Sequence, residues 1–370
     1  MNSRDRAARS RRWFLMALPA TACLGAELTG KGRIFPSAIK RFPDAATEFP
    51  VLRLTDPAHR SFLPASYARA INRHGNFLIY STDLTGRFEV FRMDFKSGQS
   101  RQLTESEDLD PTAVTLFGED RFFAYFDGKR LMNAAVATFK AREIYQIPEG
   151  FERGRGMSVA EDGQFAAVVE KGARSRLQLV HVNDGSAVKL VESDEELHDP
   201  IPRPRRAAML YRRGSEVWLV NYDAQQNYRL KLAEGETGPA KWSPDGRTVL
   251  YLNYPADPRK LHNLREFTPD TNEDRMIAET SQFVDFSSNM DASVFVGASG
   301  SKASPYVLLL VRSVKREMTV AEHRASNAAM VAPIFSPNSQ RIFFGSDRDG
   351  KPAIYSMSVE KFVEETSTPN

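Results

Sequence analysis

The chain has 370 residues, 41% of them hydrophobic, with a formal net charge of +3, six histidines and one cysteine. Residues 1–25 carry Arg4, Arg6, Arg9, Arg11 and Arg12 against Asp5, so the remainder stands at about −1 and offers no basic surface for nucleic acid. Cys23 lies in that same segment, and the rest of the chain can form neither a disulfide nor a thiolate metal site.

The N-terminus reads Ser10-Arg11-Arg12-Trp13-Phe14-Leu15, then an apolar stretch to Leu24 broken by Pro19 and Thr21. It resembles a twin-arginine export signal, because an apolar stretch of about 12 residues is too short to span a bilayer and fits a signal segment. A periplasmic or secreted protein without a membrane span is expected. Lipid anchoring at Cys23, behind Ala20-Thr21-Ala22, is the weaker alternative. Residues 26–48 read as a leader, 49–362 as one repeat domain, and 363–370 as a polar disordered tail.

One signature recurs along the domain: a strand, a tight turn and a second strand. It is clearest in Val159-Ala160-Glu161-Asp162-Gly163-Gln164-Phe165, Trp242-Ser243-Pro244-Asp245-Gly246-Arg247-Thr248 and Phe335-Ser336-Pro337-Asn338-Ser339-Gln340-Arg341. Asp-Gly, or Asn-Ser in its place, supplies the positive φ angle that a short hairpin turn needs. Fainter copies at Gly75, Asp120, Arg206 and Ala292 complete a series with gaps of 45, 43, 43, 40, 46 and 47 residues. Seven such units predict an all-β, seven-bladed β-propeller. The last unit stops after its third strand, Ala353-Ile354-Tyr355-Ser356-Met357, while Val51-Leu52-Arg53-Leu54-Thr55 has the ending of a fourth strand and no blade of its own. This N-terminal strand is therefore expected to close the ring and remove the exposed edges.

Several segments carry a resemblance to a known family. They are Asp44-Ala45-Ala46-Thr47 with Leu52-Arg53-Leu54-Thr55, Asp199-Pro200-Ile201-Pro202-Arg203-Pro204, Ser288-Asn289-Met290-Asp291 with Val296-Gly297, and the run from Phe335-Ser336-Pro337 through Ser346-Asp347-Arg348-Asp349-Gly350 to Tyr355. Over most of residues 31–362 the chain resembles the oligogalacturonate lyases, although part of the pattern is shared with TolB-like propellers. The resemblance implies β-elimination on short acidic pectin oligosaccharides. A base takes the proton next to the uronate carboxylate, and Mn²⁺ held by histidines stabilises the developing charge.

In the family those histidines largely occupy one channel-facing position, seven residues before the turn. Here that position reads Ala68, Ala113, Gly156, Asp199, Pro239, Asp285 and Ala332, without a histidine. The resemblance places Asp199 where the family has its base and Asp285 and Asn327 where it has metal ligands. Arg203, Tyr67 and Arg69 match substrate-facing positions. Asp199, Arg203 and His198 are the catalytic candidates; Arg203, Arg69 and Tyr67 the substrate-binding ones; Asp285 and Asn327 a candidate site for a hard cation. A shared acidic-sugar pocket predicts that Arg203, Arg69 and Tyr67 converge. The remaining histidines, His59, His74, His181, His262 and His323, read as loop or surface residues, and His198 itself reads as a solvated loop histidine unless a one-residue shift of its strand turns it toward the channel. The replaced histidines argue against the family's metal and against retained catalysis. The alternative is a non-catalytic TolB-like scaffold presenting a face to a protein partner. No nucleophile-elbow serine supports a hydrolase.

Overall fold

The structure, a computed structural model, describes residues 30–257 and 259–363. The signal-like segment 1–25 and all but the first residue of the tail 363–370 lie outside the described residues.

Each recurring hairpin grows into an antiparallel sheet, giving seven sheets of four or five strands that are the blades of the propeller. The fourth blade shows the pattern, with Leu197–Pro202 innermost, then Ala208–Arg213, Glu216–Asn221 and Asn227–Arg229. The seventh is closed by the N-terminus: Val51 pairs with Met357 and Arg53 with Tyr355, setting Pro50–Arg53 beside Ala353–Ser358. Residues assigned to the leader also join the sheets. Lys40–Pro43 pairs with Pro50–Arg53 and adds a fifth strand to the seventh blade, while Ile34–Phe35 pairs with Ser100–Gln102 on the first. Their short runs lack the repeat's turn, so periodicity did not expose them.

The core is divided among the blade interfaces. In the fourth blade Met209 and Tyr211 pack with Val169 and Leu179 of the third, while Leu210 and Leu219 pack with Tyr251 and Phe267 of the fifth. Both faces of a central strand are thus covered, and strands such as Phe77–Thr82 are buried at every residue. Each fully buried large apolar side chain contributes about 1.5–3 kcal/mol of transfer free energy. Seven such clusters, one between each pair of neighbouring blades, hold the ring. Among the described residues no helix is long and apolar enough to cross a membrane.

The turns have the expected left-handed residues at Gly75, Asp120, Gly163, Gly246, Ala292 and Ser339. In the fourth blade the amide of Arg206 closes the turn on Arg203 O, but the left-handed residue is Arg205, at φ 59°, one before the expected position. His323 departs from the surface reading. It is 2% exposed, donates from Nε2 to Ser299 O and accepts at Nδ1 from the Ala325 amide, and burial lowers its pKa.

Candidate functional site

Inner strands run from the channel mouth to the hairpin turns, and most are irregular near the mouth. Register shifts fall between Leu109 and Val114, Arg153 and Met157, His198 and Ile201, Thr237 and Ala240, and Phe283 and Asp285. Such bulges re-aim side chains. Six of the seven positions taken seven residues before the turn line two adjoining cavities here: Ala113, Gly156, Asp199, Pro239, Asp285 and Ala332. Gly156 has φ 89°, and a Cβ there would lie 2.8 Å from the Tyr67 hydroxyl and 2.9 Å from Asp199 Cα, so the close approach requires glycine.

The more polar cavity, about 410 Å³, is built from the third to sixth blades with Ser66 and Tyr67 of the first. The bulge at Asp199, whose φ is 48°, lets consecutive residues His198 and Asp199 both line it. The expectation of a solvated loop histidine is thereby corrected, since His198 is 8% exposed. Its Nε2 lies 3.0 Å from Gly214 O, which can only accept, so that nitrogen carries a proton; Nδ1 lies 2.9 Å from Asp199 Oδ2 and against the Arg155 guanidinium. Arg155 Nη2 is 2.9 Å from Asp199 Oδ2, and the Tyr67 hydroxyl donates to Asp199 Oδ1 at 3.3 Å. Burial pushes the Asp199 carboxyl up, but the His198 hydrogen bond and the Arg155 charge outweigh it and hold its pKa below the ordinary carboxylate value. Burial and the same carboxylate push the Tyr67 phenol well above its usual pKa. A carboxylate held ionised is a weak base toward a carbon acid, and a phenol held protonated is no base at neutral pH.

Two further cations, which the repeat arithmetic missed, face the same cavity. Arg212, on the second strand of the fourth blade, donates from Nη1 to Ser215 O at 3.1 Å and Thr237 O at 3.2 Å, and from Nη2 to Gly238 O. Burial lowers its pKa, with Asp199 opposing. Lys241, on the inner strand of the fifth blade, is 8% exposed and donates to Asp285 Oδ1 at 2.9 Å, Ser287 Oγ at 3.4 Å and Phe286 O. Asp285 also accepts from Ser66 Oγ at 3.1 Å and from the Phe286 amide at 2.8 Å. Lys241 was legible in one respect: it stands between Ala240 and Trp242, which pack in the interface with the fourth blade, so alternation turns it the other way.

Arg203, Arg69 and Tyr67 do not converge as the shared-pocket expectation required. Tyr67 lines both cavities, whereas Arg203 and Arg69 line neither. Arg203, 7% exposed, lies at the turn end of the fourth blade; its Nε donates to Gly246 O at 2.7 Å, its Nη atoms grip Asp270 at 3.2 and 3.3 Å, and it stacks 4.9 Å from the Trp242 ring. Arg69 pairs with Asp120 of the second blade's turn at 2.7 Å. Both arginines fasten a blade to the turn of the next.

A metal does not fit these residues. Asp285 is engaged by the Lys241 ammonium, and Asn327 is exposed, caps the short helix Ala328–Met330 by accepting from the Ala329 amide at 3.0 Å, and lines neither cavity. Among the described residues no three His, Cys, Asp or Glu side chains are grouped to hold a metal ion.

Comparison with known proteins agrees with this architecture. A family model described as oligogalacturonate lyase matches residues 29–174. An oligogalacturonide lyase of Pectobacterium atrosepticum is 25% identical over 90% of this chain and 99% of its own length, and an oligogalacturonate lyase of Dickeya dadantii is 24% identical over the same shares. Among solved structures, an oligogalacturonate lyase in complex with manganese superposes with a TM-score of 0.85 at 24% identity, covering 91% of this chain and all of that one. The Vibrio parahaemolyticus oligogalacturonate lyase gives 0.83 at 22% identity, covering 89% and 99%. With seven blades and an N-terminal closing strand, the chain is a seven-bladed β-propeller that is similar along nearly its whole length to oligogalacturonate lyases.

Proposed function

We propose that the channel mouth binds a short acidic saccharide through a uronate carboxylate, without a metal ion and without eliminating it. The observation that carries this reading is Arg212. Its guanidinium lines the cavity with backbone carbonyls as partners, and among the described residues no carboxylate lies within ion-pair distance of it. Arg155 stands in the same cavity with its side chain 62% exposed, and a planar guanidinium matches a carboxylate in a two-point grip. Of the other charges there, Lys241 is paired with Asp285 and Asp199 with Arg155 and His198, while the Glu236 carboxylate lines the same wall.

Metal-free binding without turnover follows from the same contacts. Asp199 is held ionised, Tyr67 protonated, both His198 nitrogens are engaged, and the Lys241 ammonium is tied to three oxygens, so none of these four is placed to take the proton beside the carboxylate. On this reading residues 1–25 direct export to the periplasm or medium, and the ligand-binding body is 49–362 together with the strands Ile34–Phe35 and Lys40–Pro43.

The test is calorimetry of the full-length mature protein with di- and trigalacturonate, once with EDTA and once with Mn²⁺, while ultraviolet absorbance follows the 4,5-unsaturated product. Equal binding in both conditions and no product are expected. Absence of binding heat overturns the saccharide reading, and Mn²⁺-dependent product overturns the metal-free, non-catalytic one.

A further inference from the structure

The polar cavity adjoins a second cavity of about 390 Å³, and Tyr67, Arg155, Asp199 and Asp285 belong to both walls. The second chamber is mostly apolar. Phe62, Leu63 and Pro64 line it from the first blade's entry, and Ala113, Met330 and Ala332 from the second and seventh blades. Its room comes from small residues: Ala113 and Gly156 at bulged positions and Ala332 ahead of the seventh blade's inner strand stand where longer side chains would fill the channel. Each chamber alone has the size of a small-molecule site.

Charge decides what the second chamber accepts. Its cation is Arg155, already paired with Asp199 at 2.9 Å, and it shares with the first chamber the carboxylates of Asp199 and Asp285. A second uronate placed there would meet two like charges and no further cation. An uncharged apolar group would instead cover Phe62, Leu63 and Met330.

We propose that the ligand is amphiphilic, a uronide bearing one carboxylate for the Arg155 and Arg212 chamber and an aryl or alkyl aglycone for the chamber walled by Phe62, Leu63, Ala113 and Met330. The assignment rests on the acidic-saccharide reading and narrows it: the site selects one charged sugar attached to an apolar group over a run of charged sugars.

Calorimetry on the wild-type protein with four probes tests it: phenyl galacturonide, methyl galacturonide, phenyl galactoside and digalacturonate. The phenyl galacturonide is expected to bind about tenfold tighter than the methyl galacturonide, from burial of one phenyl group, and tighter than digalacturonate. The uncharged phenyl galactoside should bind at least tenfold more weakly than the phenyl galacturonide. Met330→Glu, checked for folding by circular dichroism, should bring the phenyl-to-methyl ratio close to one. Equal affinities for phenyl and methyl galacturonide in the wild-type protein overturn the two-chamber assignment while leaving the acidic-saccharide reading intact. Equal affinities for phenyl galacturonide and phenyl galactoside overturn the carboxylate chamber. Failure of both methyl galacturonide and digalacturonate to bind overturns the acidic-saccharide reading, and this assignment with it.

Discussion

Replacing Lys241 with methionine tests the internal cation directly. The side chains of Lys241 and Asp285 are 11% and 13% exposed, and their 2.9 Å contact joins the inner strands of the fifth and sixth blades. Methionine keeps the apolar stem near the Phe286 ring, over which the Lys241 Nζ lies at 5.1 Å, and removes the charge. Asp285 then retains the Ser66 hydroxyl and the Phe286 amide as donors, with no counter-ion. Breaking one side of a buried pair costs about 3–5 kcal/mol, whereas removing both charges is often close to neutral. Lys241→Met should therefore lower the unfolding free energy by about that amount. The combined Lys241→Met and Asp285→Asn protein should recover most of it. Midpoints of urea unfolding at constant m-value report the change. A single-variant loss under about 1 kcal/mol, or a double variant as unstable as the two losses added, would refute the argument that Lys241 is there to neutralise Asp285.

Arg203→Ala should destabilise the protein by about 2 kcal/mol, mostly through the buried bond to Gly246 O and the packing on Trp242, because Asp270 is 55% exposed and its pairing is screened. Digalacturonate affinity in calorimetry should change less than about twofold, since Arg203 lines neither chamber. Gly156→Ala forces a Cβ to within 2.8 Å of the Tyr67 hydroxyl at φ 89°, at a cost of about 1–3 kcal/mol in urea unfolding, and should weaken binding by displacing Tyr67. The pKa of Asp199 is lower folded than unfolded, so its contribution is complete above the unfolded value near 4 and is lost as pH falls through the folded value. Urea midpoints measured from pH 6 down to 3 should fall less steeply in Asp199→Asn than in the wild-type protein.

The ring was legible because its turns carry backbone chemistry. Gly163 and Gly246 mark the hairpins directly, and Asp120, Ala292 and Ser339 adopt the same left-handed conformation at the repeat spacing. The closing strand could be read from a fourth-strand ending that had no blade. Ile34–Phe35 and Lys40–Pro43 could not, since edge strands added outside the repeat need no turn of the repeat's kind.

The site was legible only as a set of positions. Counting back from each turn located residues that line the channel mouth, yet three of the groups that determine its chemistry stand beside them and Arg212 stands on a neighbouring strand. Arg155 precedes Gly156, His198 precedes Asp199, and Lys241 follows Pro239 by two residues. A regular strand would send neighbours such as His198 and Asp199 to opposite faces, and on that rule the two could not both face the channel. The bulge marked by Asp199 at φ 48° suspends the rule at the channel mouth. Arg203 and Arg69 err in the opposite sense. Similarity to substrate-facing positions drew them into the pocket, but each is anchored to the turn of the next blade, where a guanidinium serves as a fastener. In this propeller the charged residues at the turn end hold the blades together, and those at the bulged end set what the channel admits.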